Sequence, residues 1–128
     1  MTVRGVLVDT SVWVDHFRQR NSMLVKLLEL DLVMVHPLIV GEIACGTPPN
    51  RMQTLRDLDG LQATQQASVR EVLAWIEQER LFGLGCGLVD MVLLASTRMT
   101  PGAELWTLDK PLAALAARFG IMHQADSC

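Results

Sequence analysis

Short, valine-rich apolar runs alternate with amphipathic helical segments along this 128-residue chain, which predicts an α/β fold with a mostly parallel central sheet. The first apolar run, residues 3–8, is continuous rather than alternating, as in a strand covered on both faces; helices above and below the sheet then make three α/β/α layers. Half of the residues are hydrophobic, enough to build a core without disulfide or metal staples, so residues 1–128 are expected to form a single domain.

The elements follow in order. The strand over 3–8 ends at Asp9-Thr10-Ser11, and Thr10 or Ser11 is suited to cap a helix over 12–17. Leu24, Leu27 and Leu28 recur at helical spacing after the capping Ser22. Residues 32–35 form a second strand. Pro37 opens and Gly46 closes a third helix, the expected punctuation. Pro48-Pro49 start a fourth helix, in which Met52, Leu55 and Leu58 share a face before Gly60, and a brief strand spans 61–63. Ser68 caps a helix over 69–81 whose Val69, Val72, Leu73 and Ile76 stripe opposes Arg70, Glu71, Glu77 and Arg80. The helix over 88–99 is apolar nearly all round and therefore central. A strand over 105–108, an alanine-rich helix over 111–119 and a short strand over 121–123 complete the alternation.

Several function classes are disfavoured. No apolar stretch approaches the ~18 residues of a membrane span, and Arg4, Asp9 and Asp15 are out of place in a signal peptide, so a cytoplasmic location is expected. Cys45, Cys86 and Cys128 lack paired spacing and read as reduced thiols, the first two buried. A net charge of −3 provides no basic footprint for nucleic acid, although divalent ions at an acidic site would invert its local charge. His16, His36 and His123 are scattered and suit surface or strand-end roles. Gly83-x-Gly85-x-Gly87 lacks the spacing and setting of a phosphate loop and reads as a connection; Trp13, Trp75 and Trp106 read as packing.

Four of the 14 acidic residues stand in apolar surroundings: Asp9 after Val6-Leu7-Val8, Asp109 after Leu105-Trp106-Thr107-Leu108, and Glu42 and Asp90 within apolar helices. An unpaired buried carboxylate costs several kcal/mol, so these placements point to a shared positive partner. Asp9 and Asp109 leave two strands at the carboxyl rim, where open α/β sheets bind ligands, and the two helices can aim Glu42 and Asp90 at the same rim. Carboxylates without an accompanying base suit Mg²⁺ or Mn²⁺, and the matching reaction is metal-assisted phosphodiester hydrolysis. Thr10, Ser11 and Thr107 flank the strand-end acids and are placed to orient them. Taken singly, Asp9 or Asp109 is as readily a helix cap, Asp90 a cap after Gly87, and Glu42 half of an Arg pair; the order of the set favours a site.

The same residues carry a resemblance. Val6-Leu7-Val8-Asp9-Thr10-Ser11-Val12-Trp13, a helical Glu42 before Gly46, the run Leu88-Val89-Asp90-Met91-Val92-Leu93-Leu94-Ala95, and Thr107-Leu108-Asp109-Lys110 resemble the ordered motifs of PIN-domain ribonucleases. The length is most similar to the VapC-type toxins of toxin–antitoxin pairs. The resemblance implies a PIN-like α/β/α sandwich and an endoribonuclease that cuts RNA with Mg²⁺ or Mn²⁺. It makes Asp9, Glu42, Asp90 and Asp109 the catalytic and metal-binding residues, with Thr10, Ser11 and Thr107 in support. It also implies a small antitoxin partner, expected in a groove between the helices of 48–59 and 68–82, and a second copy of the chain as homodimer partner. Many relatives carry another acid after the last motif Asp; here Lys110, Pro111 and Leu112 follow, so four acids secure one metal site more firmly than two. RNA contacts are expected from Arg4, Arg18, Arg20, Lys110 or Arg118. A non-catalytic PIN-like domain that binds RNA or protein is the alternative; a phosphoacceptor domain ranks last, lacking an acidic pair at the first strand end.

Overall fold

Gly5, Val6, Leu7 and Val8 form β1 (Gly5–Val8), and the side chains of Val6, Leu7 and Val8 have no exposed surface, so layers cover this strand on both sides. A computed structural model of the chain describes residues 3–124. Within them β1 pairs in parallel with β2 (Val33–Val35) on one side and β4 (Ala103–Trp106) on the other, and β3 (Gln62–Ala63) joins the free edge of β2. The order β3-β2-β1-β4 is all parallel, as expected, and reverses direction between β1 and β4. That switch opens a crevice at the carboxyl ends of these two strands.

Helices fill the intervals: α1 (Thr10–Arg18), α2 (Ser22–Glu29), α3 (Pro37–Ala44), α4 (Arg51–Asp59), α5 (Val69–Glu79), α6 (Leu88–Met99) and α7 (Lys110–Arg118). With the sheet they form the three-layer α/β/α sandwich of a PIN-like fold. Helix α6 is the central one, with Met91, Val92, Leu93 and Leu94 buried and α5, α7 and β4 packed against it. Helix α5 begins with a complete capping box, Ser68 Oγ accepting from the Glu71 N–H at 3.1 Å and Glu71 Oε1 accepting from the Ser68 N–H at 2.8 Å. Ser96, wholly buried on α6, accepts the Ala67 N–H at 3.0 Å and so ties the start of α5 to the core. Ser96→Ala leaves that donor without a partner, and urea denaturation should show a loss of about 1–3 kcal/mol.

Several boundaries differ from the sequence reading. Asp9, not Thr10 or Ser11, occupies the N-cap position of α1, because both hydroxyls turn to carboxylates instead. Asn21 rather than Ser22 caps α2, accepting the Leu24 N–H at 3.0 Å. Helix α4 starts at Arg51, after Asn50 in a left-handed conformation, so Pro48-Pro49 belong to the connecting segment. β4 sits two residues earlier than expected, which puts Thr107 beyond the strand end; Leu108, taken as a strand residue, is about half exposed. The last strand is reduced to a single bridge between Leu105 and Met122. Helix α5 packs on α6 and α4 on α3, and an apolar cleft beside α4 is lined by residues of α1, α2 and α4. Cys45 is exposed and Cys86 half-buried, not buried as expected, and Cys128 lies outside the described residues. Among the described residues no helix is long and apolar enough to cross a membrane.

Candidate active site

The switch between β1 and β4 delivers two chain segments to one place. The Asp9 N–H donates to the Trp106 carbonyl at 2.9 Å, extending the ladder one step past both strands and setting Asp9 beside Thr107. Two hydroxyls converge on one oxygen of Asp9: Ser11 Oγ donates to Oδ2 at 2.7 Å and Thr107 Oγ1 at 2.8 Å. The same hydroxyls receive the backbone that follows β4, since the Leu108 N–H donates to Ser11 Oγ and the Asp109 N–H to Thr107 Oγ1, each at 3.0 Å. Ser11 and Thr107 thus lock the two strand-end acids into a single unit.

The other three acids are positioned by local capping or by a tie between helices. Asp109 caps α7, its Oδ2 accepting the Leu112 N–H at 3.0 Å. Asp90 lies in the first turn of α6, where its Oδ2 accepts the Gly87 N–H at 3.2 Å. Glu42, on α3, accepts a hydrogen bond from Thr10 Oγ1 on Oε1 at 2.6 Å. The capping roles weighed against a site for Asp90 and Asp109 therefore exist, and each occupies only one carboxylate oxygen.

That division holds for all four. Among the described residues no hydrogen bond engages Asp9 Oδ1, Glu42 Oε2, Asp90 Oδ1 or Asp109 Oδ1, and no Lys, Arg or His nitrogen lies within 4.0 Å of these carboxylates. Their convergence is felt by Asp90, whose carboxyl is held above its usual range first by burial and then by the charges of Asp9, Asp109 and Glu42, with the Gly87 N–H opposing. Contrary to the expectation of four buried acids, only Asp9 is buried; Asp90 is half-buried, and Glu42 and Asp109 are exposed. Helices α3 and α7 cover the sheet with their apolar faces, and their acids stand at the open rim.

Cys86 was not anticipated here. Its Sγ and one carboxylate oxygen each of Asp90 and Asp109 lie within 4.8 Å of one another. Burial and the two carboxylates push the thiol up to about 11, so it stands protonated at neutral pH. Its position four residues before Asp90, in the loop that enters α6, was the available sequence signal.

Of the four acids, Asp90 and Asp109 come together within ligand distance, with Cys86, and Asp9 and Glu42 are not part of that group. Carboxylate oxygens free of hydrogen bonds and without a neighbouring cation suit a hard divalent ion. Thr107 links the fixed oxygen of Asp9 to the backbone of Asp109, which makes it the most revealing of the hydroxyls. Thr107→Val keeps the shape and removes both bonds; the expected result is a 10- to 100-fold weaker Mn²⁺ affinity by calorimetry and a parallel loss of any metal-dependent activity.

No protein-family model matches the chain. The chain is 41% identical over 116 residues, 91% of its own length and 94% of the relative's, to the protein named Ribonuclease VapC32 in two strains of Mycobacterium tuberculosis.

Proposed function

The chain belongs to the VapC family of PIN-domain ribonucleases, and from that premise we propose that it is a divalent-metal-dependent endoribonuclease, the toxin of a type II toxin–antitoxin pair. The observation that carries the reading is the set of four acids, Asp9, Glu42, Asp90 and Asp109, each fixed through one oxygen and unengaged at the other. Asp9, Asp90 and Asp109 would hold Mg²⁺ or Mn²⁺, with Glu42 completing the site. A bound ion of this kind neutralises the phosphodiester and acidifies water near neutral pH. The chain's own contribution is geometric. Ser11 and Thr107 hold Asp9, the α6 and α7 caps hold Asp90 and Asp109, and Thr10 holds Glu42, so each carboxylate has one oxygen fixed before RNA arrives.

On this reading the protein acts in the cytoplasm, on cellular RNA. The antitoxin is assigned to the apolar cleft of about 280 Å³ between α1, α2 and α4, lined by Trp13, Phe17, Leu28, Leu58 and Leu61. Trp13 lines the cleft, and its indole N–H is buried without a hydrogen-bond partner. Homodimerisation is part of the same reading, to be checked by sedimentation.

The direct test is cleavage of cellular RNA by purified protein. Activity that requires Mg²⁺ or Mn²⁺, stops with a chelator and maps to discrete 5′ ends after induced expression supports the nuclease. Site-specific metal uptake without cleavage of any RNA would favour a non-catalytic binding domain instead.

A further inference from the structure

Beside Glu42 lies a cavity of about 470 Å³, within the range of sites that take small organic ligands. Thr10 and Glu42, hydrogen-bonded to each other, form part of its wall, so it adjoins one of the four acids of the candidate active site. Val14, Phe17 and Ile43 supply apolar surface, and Arg18 stands at the edge with no hydrogen bond or ion pair among the described residues. The opposite wall, residues 46–49, is held in place. The Arg51 guanidinium donates to the Ala44 carbonyl at 2.6 Å and to the Gly46 carbonyl at 3.3 Å, and Thr54 Oγ1 donates to the Pro49 carbonyl at 2.5 Å. A cavity with fixed walls loses little freedom when filled.

We propose that this cavity receives one unpaired nucleoside of the RNA, the one adjoining the scissile phosphate, and that Arg18 binds the next phosphate along the chain. The inference rests on the reading that the carboxylate site hydrolyses RNA. Three features select this occupant. The Thr10–Glu42 wall makes the cavity a neighbour of the candidate active site. Its lining offers an aromatic ring and aliphatic surface to a base, which every base can use through its flat face. Arg18 lines the cavity without an ion pair and complements a phosphate, its planar fork suiting two of the oxygens. A base still paired in a duplex cannot enter, so the cavity would confine cleavage to single-stranded segments.

The test crosses two variants with substrates lacking one base. Thr47→Trp places bulk in the cavity from an exposed loop position, and Arg18→Ala removes the cation; neither residue belongs to the carboxylate set. With wild-type protein, removing the base at one position next to the cut should raise KM about tenfold, the order of a single lost stacking contact. In Thr47→Trp, KM for intact RNA should rise by the same order, and removing that base should then cost nothing more. Arg18→Ala should raise KM and lower the slope of log KM against log salt by roughly 0.7, the share of one phosphate on a single strand, with kcat and Mn²⁺ affinity unchanged. Independent, multiplying effects of base removal and Thr47→Trp would overturn the proposal, as would unchanged kinetics in both variants. Loss of inhibition by the antitoxin with RNA kinetics intact would assign the cavity to that partner and overturn it equally. Failure of the wild-type protein to cleave any RNA with Mn²⁺ would instead remove the nuclease reading beneath it.

Discussion

Asp9→Asn is expected to fold normally and to lose RNA cleavage by well over ~100-fold, more than changes in residues that merely support a metal ligand. The two outcomes separate because Asp9 uses its oxygens differently. Oδ2 accepts from Ser11 and Thr107, and an amide oxygen in that position accepts the same two hydroxyls. The amide nitrogen then stands where Oδ1 stood, presenting N–H donors to the space that the unengaged oxygen faced. A cation cannot share that space with donors, so Mn²⁺ affinity measured by calorimetry should collapse together with activity. Circular dichroism and the thermal midpoint report whether the hydroxyl bonds survive. Cleavage within tenfold of wild type in a well-folded Asp9→Asn protein would dissolve the proposed site.

The position of Asp9 was legible because its signal is local. A fully apolar run that stops at an acid, followed by small hydroxyl residues and then helical periodicity, reads as a buried strand turning into a helix at the carboxyl rim. Helix α6 was legible for a related reason, since nearly continuous apolarity over a helical length leaves only a central place in the fold. The α5 capping box was visible through Ser68 alone. What the sequence did not disclose depends on long-range placement. Thr107 meets Asp9 across 98 positions of chain, and the strand preceding it was misplaced by two residues because the apolar run 105–108 carries no mark of its own register. Only pairing with β1, which sets Val8 opposite Trp106, decides that Thr107 leaves the sheet level with Asp9.

Glu42 shows a second kind of gap. Its apolar neighbours suggested a buried acid, yet helix α3 buries Ile39 and Ile43 on one side and leaves Glu42 exposed on the other. Its tie is to Thr10 rather than to an arginine, and that contact, between residues 32 apart, also shapes the neighbouring cavity. Cys86 reads in the sequence only as a buried, reduced thiol. Its closeness to Asp90 and Asp109 arises because the loop with Gly83 and Gly85 in left-handed conformations folds back on Pro111 at the start of α7. Glycine-rich punctuation announced a turn there; the destination of the turn is tertiary.

Asp90→Asn should abolish cleavage as thoroughly as Asp9→Asn while raising the melting temperature of the metal-free protein by a few degrees. The carboxyl of Asp90 is raised by burial and by the charges of Asp9, Asp109 and Glu42. A native state that holds this proton more tightly than the unfolded chain gains stability from Asp90 at pH values below the ordinary carboxylate range. The gain disappears as pH rises through the raised value, and at neutral pH the ionised side chain is a net cost to the fold. Asparagine removes the charge, and its amide oxygen can still accept the Gly87 N–H that opens α6. The stability advantage of the variant should therefore shrink as the pH is lowered into the carboxylate range, where the wild-type residue is protonated too. Mn²⁺ reverses the comparison. It should raise the wild-type midpoint by relieving the repulsion among the four acids, and leave Asp90→Asn almost unmoved. Thermal melts with and without Mn²⁺ across that pH range separate this account from a purely structural role. A variant that melts below wild type without metal would show that the α6 cap, not the repulsion, dominates at Asp90. An Asp90 that is held above its usual range by burial and by neighbouring acids favours the arrival of a cation, which is the physical reason for expecting binding and catalysis to depend on the same carboxylate.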